Sequence, residues 1–565
     1  MEFPENHGEL EDGDKMNEQD IIYSDVLVLG SGFAGLRAAN SAVCEGASVV
    51  VIDKGPRATP DIMGFNVAVE KGDSLETYEA DLRLSSHSIS NKALEKILVS
   101  SARKEMEFLE SIGLAFDRKP NGEYDVLQTL GSRFARLVHY KALTGIEASR
   151  LMVKECKQRG VEFHKFILIH SLLKSEGRIF GAIGVDIRTG KSKAFVGKAV
   201  VLATGGCGAI YETTTYPKGI TGDGIALTYR AGGEMIDMEF MQFEPCVFVY
   251  PEKLKGKVIP TTLLRMGAQL RNGNGKEFLG NYGLDRGSVQ KDTLSRAMLQ
   301  EIREGRGTPH GGIFYDVSMM PKKMVVEDHA IFYNPALASG IDLTKEPAEV
   351  KPAAHTSLGG VKINSECETS LMGLFAAGEV AGGFYGANRL GGSAGIETLV
   401  FGRRAGENAA RYAAKTAYPA LEEILVSIRK EERTIQDSHG DAPSLPILES
   451  IFNEIGRIMS SRVSLIRNAR ELEIARAEIA ALAKRLPGIA VKSSKETVMY
   501  LECRNMLDVS AMIIESSLVR TESRGAFYRE DFPEKNDGKW IGNIVIQQRD
   551  GEMDAWFVPR KDYGD

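Results

Sequence analysis

Between residues 22 and 55 the chain passes from one hydrophobic period to another and back. Asp25-Val26-Leu27-Val28-Leu29 is an almost unbroken apolar run, which suits a parallel strand buried on both faces. Gly30 to Gly35 interrupts it. A helix is predicted from about Ala34 to Glu45 and a valine-rich strand from Ala47 to Asp53. Residues 90–112 and 142–159 carry apolar side chains at helical spacing. Residues 160–203 read as short strands broken at Glu176-Gly177 and Thr189-Gly190. From 236 to 350 the pattern shifts to Gly-rich loops and short helices, which predicts an inserted substrate domain. Residues 369–412 return to a strand (Leu374-Phe375-Ala376-Ala377), a Gly-rich loop and a helix. Residues 417–520 are mostly helical and highly charged, for example Arg467 to Arg485, and that charge reads as a solvated helix face.

With 43% hydrophobic and 26% charged residues in 565, the chain can bury large cores as a soluble globular protein of several domains. A net charge of −7 argues against nucleic acid or an anionic membrane as the main partner. No apolar run approaches the ~20 residues that span a bilayer. Residues 1–20 are acidic and polar, read as a flexible tail, and carry no basic-then-apolar leader, so the expected compartment is cytoplasmic. The six cysteines form no CxxC pair. Sequence-local zinc or iron–sulfur ligation is therefore not expected, and any such cluster would sit on another chain.

Gly30-Ser31-Gly32-Phe33-Ala34-Gly35 lies between the first strand and the first helix. Gly30 permits the tight turn, Gly32 lets backbone approach a pyrophosphate, and Gly35 allows close helix–strand packing. The helix N-terminus then offers free N–H groups and partial positive charge to phosphates. Asp53 closes the second strand, where an acid can accept hydrogen bonds from ribose hydroxyls. Ala203-Thr204-Gly205-Gly206 ends a later strand, Thr221-Gly222-Asp223-Gly224 follows, and Gly378-Glu379 ends another. An acid such as Glu379, far along the chain from the first turn, suits the ribityl of a long dinucleotide. A helix beginning near Gly395 would aim its N-terminus at a flavin pyrimidine ring. FAD is the expected cofactor. Gly30, Ser31, Gly32, Ala34, Gly35, Asp53, Lys54, Gly64, Ala203, Thr204, Gly205, Asp223, Glu379, Arg389, Ala394 and Gly395 are the candidate binding residues.

At this point the motifs resemble a known family across nearly the whole chain. ATGGCG at 203–208, TGDG at 221–224, MEFMQFEP at 238–245, HTSLGG at 355–360, LFAAGE at 374–379, GANRLGGSAG at 386–395 and ESRGAFYREDFPEKND at 522–537 follow one another in the family's order. They look like the flavoprotein subunits of succinate dehydrogenase and fumarate reductase, whose relatives include L-aspartate oxidase and the α subunit of adenylylsulfate reductase. The resemblance implies an α/β, glutathione-reductase-type FAD domain (21–235 plus 350–415). It also implies an α+β capping domain (236–349) and a C-terminal helical domain (416–565). It implies hydride transfer between flavin N5 and a carbon beside a carboxylate, with an iron–sulfur, ferredoxin-like partner in a possible hetero-oligomer. His355 and Arg389 match the family's carboxylate-binding histidine and arginine. The residue types agree with that: Arg389 is a bidentate donor set among glycines, and His355 precedes Gly359-Gly360.

Departures from the pattern shape the expected chemistry. Where succinate and fumarate members read QFHPT, this chain reads Gln242-Phe243-Glu244-Pro245-Cys246. The family's Arg-Asp pair before a helix is Lys291-Asp292 here. The acid of the family's proton relay falls near Thr261 or Thr262 and is missing, with Arg265 and Arg286 as nearby cations. Arg-to-Lys is not conservative at a bidentate site. Glu244 and Lys291 are candidate catalytic residues with His355 and Arg389, or pair with each other as a plain salt bridge. Residues 54–69 contain no histidine for a flavin tether, so FAD is expected to be non-covalent. The expected substrate is a small organic acid other than plain fumarate or succinate. The alternatives are an oxidase of the aspartate-oxidase type, an adenylylsulfate-reductase-like flavoprotein and an electron-relay flavin subunit of a larger complex.

Overall fold

The computed structural model describes residues 21–55, 57–286, 289–436 and 444–560; the expected acidic tail at 1–20 lies outside them. The first apolar run begins earlier than its sequence pattern, as strand Ile21–Leu29. It lies parallel to Val49–Asp53 on one side and to Ser192–Leu202 on the other. All five residues of Val49–Asp53 are buried, which explains why its valines do not alternate with polar side chains. Helix Phe33–Cys44 crosses between the first two strands.

The sheet has seven strands. Glu162–Lys165 flanks Val49–Asp53, and Arg178–Asp186 and Ile167–Ser175 continue antiparallel beyond Ser192–Leu202. Ser192–Leu202 is shared along its length. Its N-terminal half pairs with Arg178–Asp186, and its last residues pair with Leu374–Ala376. The chain thus returns, after the insertion, to complete the floor beside the glycine turn. Helix Ser393–Ala413 then packs on Phe33–Cys44. Gly402 and Gly406 face the backbone oxygens of Ala34 and Ala38, where a Cβ would sit at 2.6 Å and 2.1 Å. That approach packs the first turns of Phe33–Cys44 against the middle of Ser393–Ala413.

The insertion is not the assembly of loops and short helices its sequence predicts. It is built on a four-stranded antiparallel sheet of Met241–Tyr250, Ala348–Ser357, Ile313–Asp316 and Gln269–Arg271. The sheet has its own core around Cys246, Phe248, Leu294 and Tyr315. Register shifts between Glu244 and Val247 and between Phe248 and Tyr250 break the period of two, and bulges of this kind hide a strand from periodicity. Helix Lys291–Glu301 packs on this sheet.

The C-terminal part contains helices Ser444–Arg462, Ala469–Arg485 and Ser494–Val519. Arg470, Arg476, Lys484 and Arg485 are exposed, as a solvated face requires. Arg467 is not: it is fully buried and donates to the Glu239 carbonyl at 2.8 Å and to Ser517 Oγ at 2.6 Å. The chain ends in a hairpin, Gly542–Arg549 and Glu552–Pro559, whose first strand pairs with Met235–Ile236.

Candidate active site

The glycine turn meets its geometric requirements. Gly30 has φ +112° and lies against Ala203, whose oxygen would be 2.1 Å from an added Cβ. Gly35 lies against the Gly30 carbonyl, where an added Cβ would be 2.0 Å from the oxygen. Gly32 differs: among the described residues an added Cβ would meet only Thr59 Cγ2 at 3.5 Å. The space beside Gly32 is a cradle that neighbouring protein does not fill. No side chain caps the following helix, and its first turn holds no acid, so its N–H groups are available to an anion. Asp53 is buried and accepts from the Gly55 N–H at 3.1 Å. On the other side of the cradle Gly205 has φ +77° with only Ile220 near.

Two of the residues read from sequence as cofactor contacts are engaged with each other. Lys54 Nζ lies 3.0 Å from Asp223 and 2.7 Å from Glu502, and also donates to the Gly219 carbonyl at 2.8 Å. Asp223 further accepts from Thr221 and Asn505. These side chains tie the TGDG turn to the C-terminal helix. Gly64 and Gly395 face one another; a Cβ on Gly395 would sit 2.9 Å from the Gly64 oxygen. Ala394 and Gly395 form the first turn of helix Ser393–Ala413, which is preceded by Gly392 at φ +77° and has no side-chain cap. Glu379 accepts from the Tyr216 hydroxyl and, at 2.9 Å, from the Ser357 N–H. Burial pushes its carboxyl above the usual range, against these two donors.

Several polar atoms along this trough are buried and lack partners among the described residues: Ser31 Oγ, Thr204 Oγ1, Gln242 Oε1 and Arg389 Nε. Unsatisfied buried groups are costly and call for a ligand. Orphaned donors and acceptors, an open glycine cradle and two uncapped helix N-termini together suit an elongated, anionic dinucleotide with a polar ring at its far end.

At that far end the four candidate catalytic side chains converge. Glu244 and Ala353 are cross-strand neighbours, and His355 follows two residues later on the same strand. Lys291, first residue of its helix, donates to Glu244 Oε2. His355 Nε2 lies 3.9 Å from the same oxygen, and His355 Nδ1 is 2.9 Å from Thr215 Oγ1. Burial, with the Lys291 and Arg389 cations, holds the His355 imidazole far below its ordinary pKa, so it is neutral. Arg389 is buried, and its backbone carbonyl accepts from Gln242 Nε2 at 3.0 Å. The same nitrogen donates to Asn388 at 2.6 Å. Arg265, by contrast, is exposed on the turn Thr261–Met266 and does not join this group. Sequence reasoning passed over Thr215, Tyr216 and Asn388. Only Asn388 had a signal, its place inside GANRLGG.

Fold and trough together define an FAD-dependent oxidoreductase. Residues 25–394 match the FAD binding domain family, and residues 452–559 match the fumarate reductase flavoprotein C-terminal family. The chain belongs to the fumarate reductase and succinate dehydrogenase flavoprotein family, whose members act on CH–CH groups. It is 35% identical to a fumarate reductase (CoM/CoB) subunit of Methanothermobacter marburgensis over 555 residues, covering 96% of this chain and 100% of the relative. It is 30% identical to L-aspartate oxidase of Streptomyces coelicolor, covering 93% and 92% of the two chains. A solved structure of E. coli quinol fumarate reductase FrdA superposes with a TM-score of 0.89 at 26% identity, covering 96% of this chain and 97% of that one.

Proposed function

We propose that this chain moves a hydride between FAD and a small organic acid other than plain fumarate or succinate. The carrying observation is the Glu244–Lys291 pair beside His355. Bound FAD supplies hydride chemistry at flavin N5. Arg389 holds one substrate carboxylate; its buried, unpartnered Nε has no competing acceptor. Gln242 fixes the Arg389 backbone, so that the guanidinium is set before substrate arrives. His355, neutral and oriented by Thr215, donates a hydrogen bond rather than a charge. Lys291 is the proton donor to the neighbouring carbon, and its positive charge is matched by Glu244.

A second substrate carboxylate would therefore meet a lysine already engaged with Glu244 and would face Glu244 itself. Like charges placed together in a desolvated site cost several kcal/mol. A monocarboxylate fits this end, as does an acid bearing a hydrogen-bond donor or a cation that Glu244 can accept. The last option favours a second reading, in which an amino acid is oxidised and dioxygen takes the electrons.

For the first reading we propose an iron–sulfur partner chain. The chain has no clustered cysteines of its own, and the Methanothermobacter relative is by name one subunit of a larger enzyme. Dye-coupled turnover on a panel of saturated and unsaturated acids tests the substrate class. Fumarate is expected to be slow, and Glu244→His with Lys291→Arg to gain fumarate activity while losing the native one. Efficient fumarate turnover that is indifferent to Glu244→His overturns the reading. Rapid reoxidation by air with stoichiometric peroxide selects the oxidase.

A further inference from the structure

One buried carboxyl beside the trough is used neither by the glycine turn nor by the substrate cluster. Glu397 lies on helix Ser393–Ala413 and is 1% exposed. Its Oε2 accepts from the Tyr385 hydroxyl at 3.3 Å, and the Gly378 backbone lies beside the carboxyl. Its Oε1 has no partner among the described residues. The charged groups facing it are Glu379, across the Gly378 turn, and Arg389.

Two carboxyls therefore lie close together, and among the described residues neither forms an ion pair with Arg389. Glu379 is the better-supplied of the two, with the Tyr216 hydroxyl and the Ser357 N–H as donors. A second full negative charge in such a place is expensive unless it is neutralised. The inexpensive way to neutralise it is a proton on the less-solvated carboxyl, Glu397.

We propose that Glu397 is a redox-linked proton acceptor, taking one proton from solvent when two electrons enter the adjoining flavin site and returning it on reoxidation. The balance is simple. The Glu397 carboxylate plus a solvent proton gives the carboxylic acid. No electron passes through the residue; both come from the reductant, here dithionite or a low-potential dye, and remain at the cofactor. The proposal rests on the FAD assignment and is independent of which acid is the substrate.

Burial, with Glu379 nearby, pushes the Glu397 carboxyl up to about 8. Further negative charge close by raises it again. Sign follows from this order. Above that value the oxidised protein holds a carboxylate and the reduced protein still holds the acid, so reduction consumes an extra proton. Below it both forms are protonated and none is consumed.

The test is the flavin midpoint potential of the holoprotein titrated from neutral to alkaline pH. In the unsubstituted protein the potential is expected to fall more steeply above the Glu397 pKa, by one proton per two electrons, than in Glu397→Gln. Tyr385→Phe keeps the carboxyl and removes a donor to its ionised form, so it should move the steep region to higher pH. The redox-difference infrared spectrum should gain the carbonyl stretch of a protonated carboxylic acid on reduction, and lose that feature in Glu397→Gln. A purely structural role would alter flavin retention or melting and leave the slope unchanged. An identical slope and band in flavin-loaded Glu397→Gln overturns the proposal. Should that variant not retain flavin, an unmoved steep region in Tyr385→Phe overturns it instead.

Discussion

Replacing Gly32 by valine separates what the glycine turn does for the fold from what it does for the cofactor. Gly32 has φ −70°, a conformation open to any residue. Its added Cβ meets nothing closer than Thr59 Cγ2 at 3.5 Å. The flavin-free protein therefore loses little beyond the N-cap advantage of glycine over valine, on the order of 1 kcal/mol. The side chain instead fills the cradle that the pyrophosphate enters. Displacing two charge-assisted backbone contacts, at roughly 1.5–3 kcal/mol each, weakens FAD by roughly 3–6 kcal/mol, on the order of a hundredfold to ten-thousandfold in affinity. Gly35→Ala is the contrasting control. Its Cβ would lie 2.0 Å from the Gly30 oxygen, and such overpacking costs the apoprotein about 1–3 kcal/mol or more. Fluorescence titration with FAD and thermal melting of the flavin-free proteins measure the two effects. Gly32→Val is expected to melt like the unsubstituted apoprotein yet bind FAD poorly, and Gly35→Ala to melt early. A Gly32→Val protein that purifies with full flavin refutes the placement of the pyrophosphate.

Further outcomes follow from other parts of the site. Arg389→Lys should keep its flavin and lose turnover by about 2–4 kcal/mol of barrier, the worth of a charge-assisted bidentate contact that also meets developing charge; unchanged turnover with the native substrate removes Arg389 from the mechanism. Acid precipitation should release yellow flavin into the supernatant, since residues 54–69 hold no histidine tether, and colour left in the pellet shows a covalent bond. Burial and neighbouring Glu239 push the Asp237 carboxyl up to about 7. The native state then holds a proton that the unfolded chain, with its lower pKa, has released. This group's contribution to stability is full below about 4 and declines as pH rises toward 7. Asp237→Asn should flatten the melting temperature across that window, and an unaltered pH profile contradicts the assignment.

The flavin half was largely readable because its elements are regular. Val26 to Leu29 and Val49 to Ile52 are buried on both faces and stay apolar throughout, and Gly30 and Gly35 are fixed by close backbone contacts that leave few alternatives. The α+β cap was legible from the family resemblance but not from the hydrophobic pattern, because Met241–Tyr250 slips register around Pro245 and Cys246 and so loses its alternation. The terminal hairpin did carry a signal that went unused. Asp550-Gly551 sits between Gly542–Arg549 and Glu552–Pro559 with both φ values positive, the preference of a two-residue hairpin turn. In the candidate site, motif context named His355, Arg389, Glu244 and Lys291 and left open whether the last two pair; the packing joins them. Arg467 likewise reads as a surface charge in a charged stretch and is buried because Glu239 and Ser517 supply its acceptors.

The insertion leaves and rejoins the rest of the chain through two strands that are hydrogen-bonded to each other, with Met241 opposite Ser357 and Gln242 opposite Thr356. Its two ends are therefore neighbours in space, as the ends of a transplantable cassette must be. Gln242, Glu244, Lys291 and His355 all travel within that cassette, whereas Gly30 to Gly35, Arg389 and Glu397 stay behind. Recombination at this one paired position would exchange Gln242, Glu244, Lys291 and His355 in a single event. The dinucleotide trough and Arg389 itself would stay in place, while the Gln242 contact that holds the Arg389 backbone would be exchanged with the cap. A lineage built this way can exchange its cap without rebuilding its redox machinery.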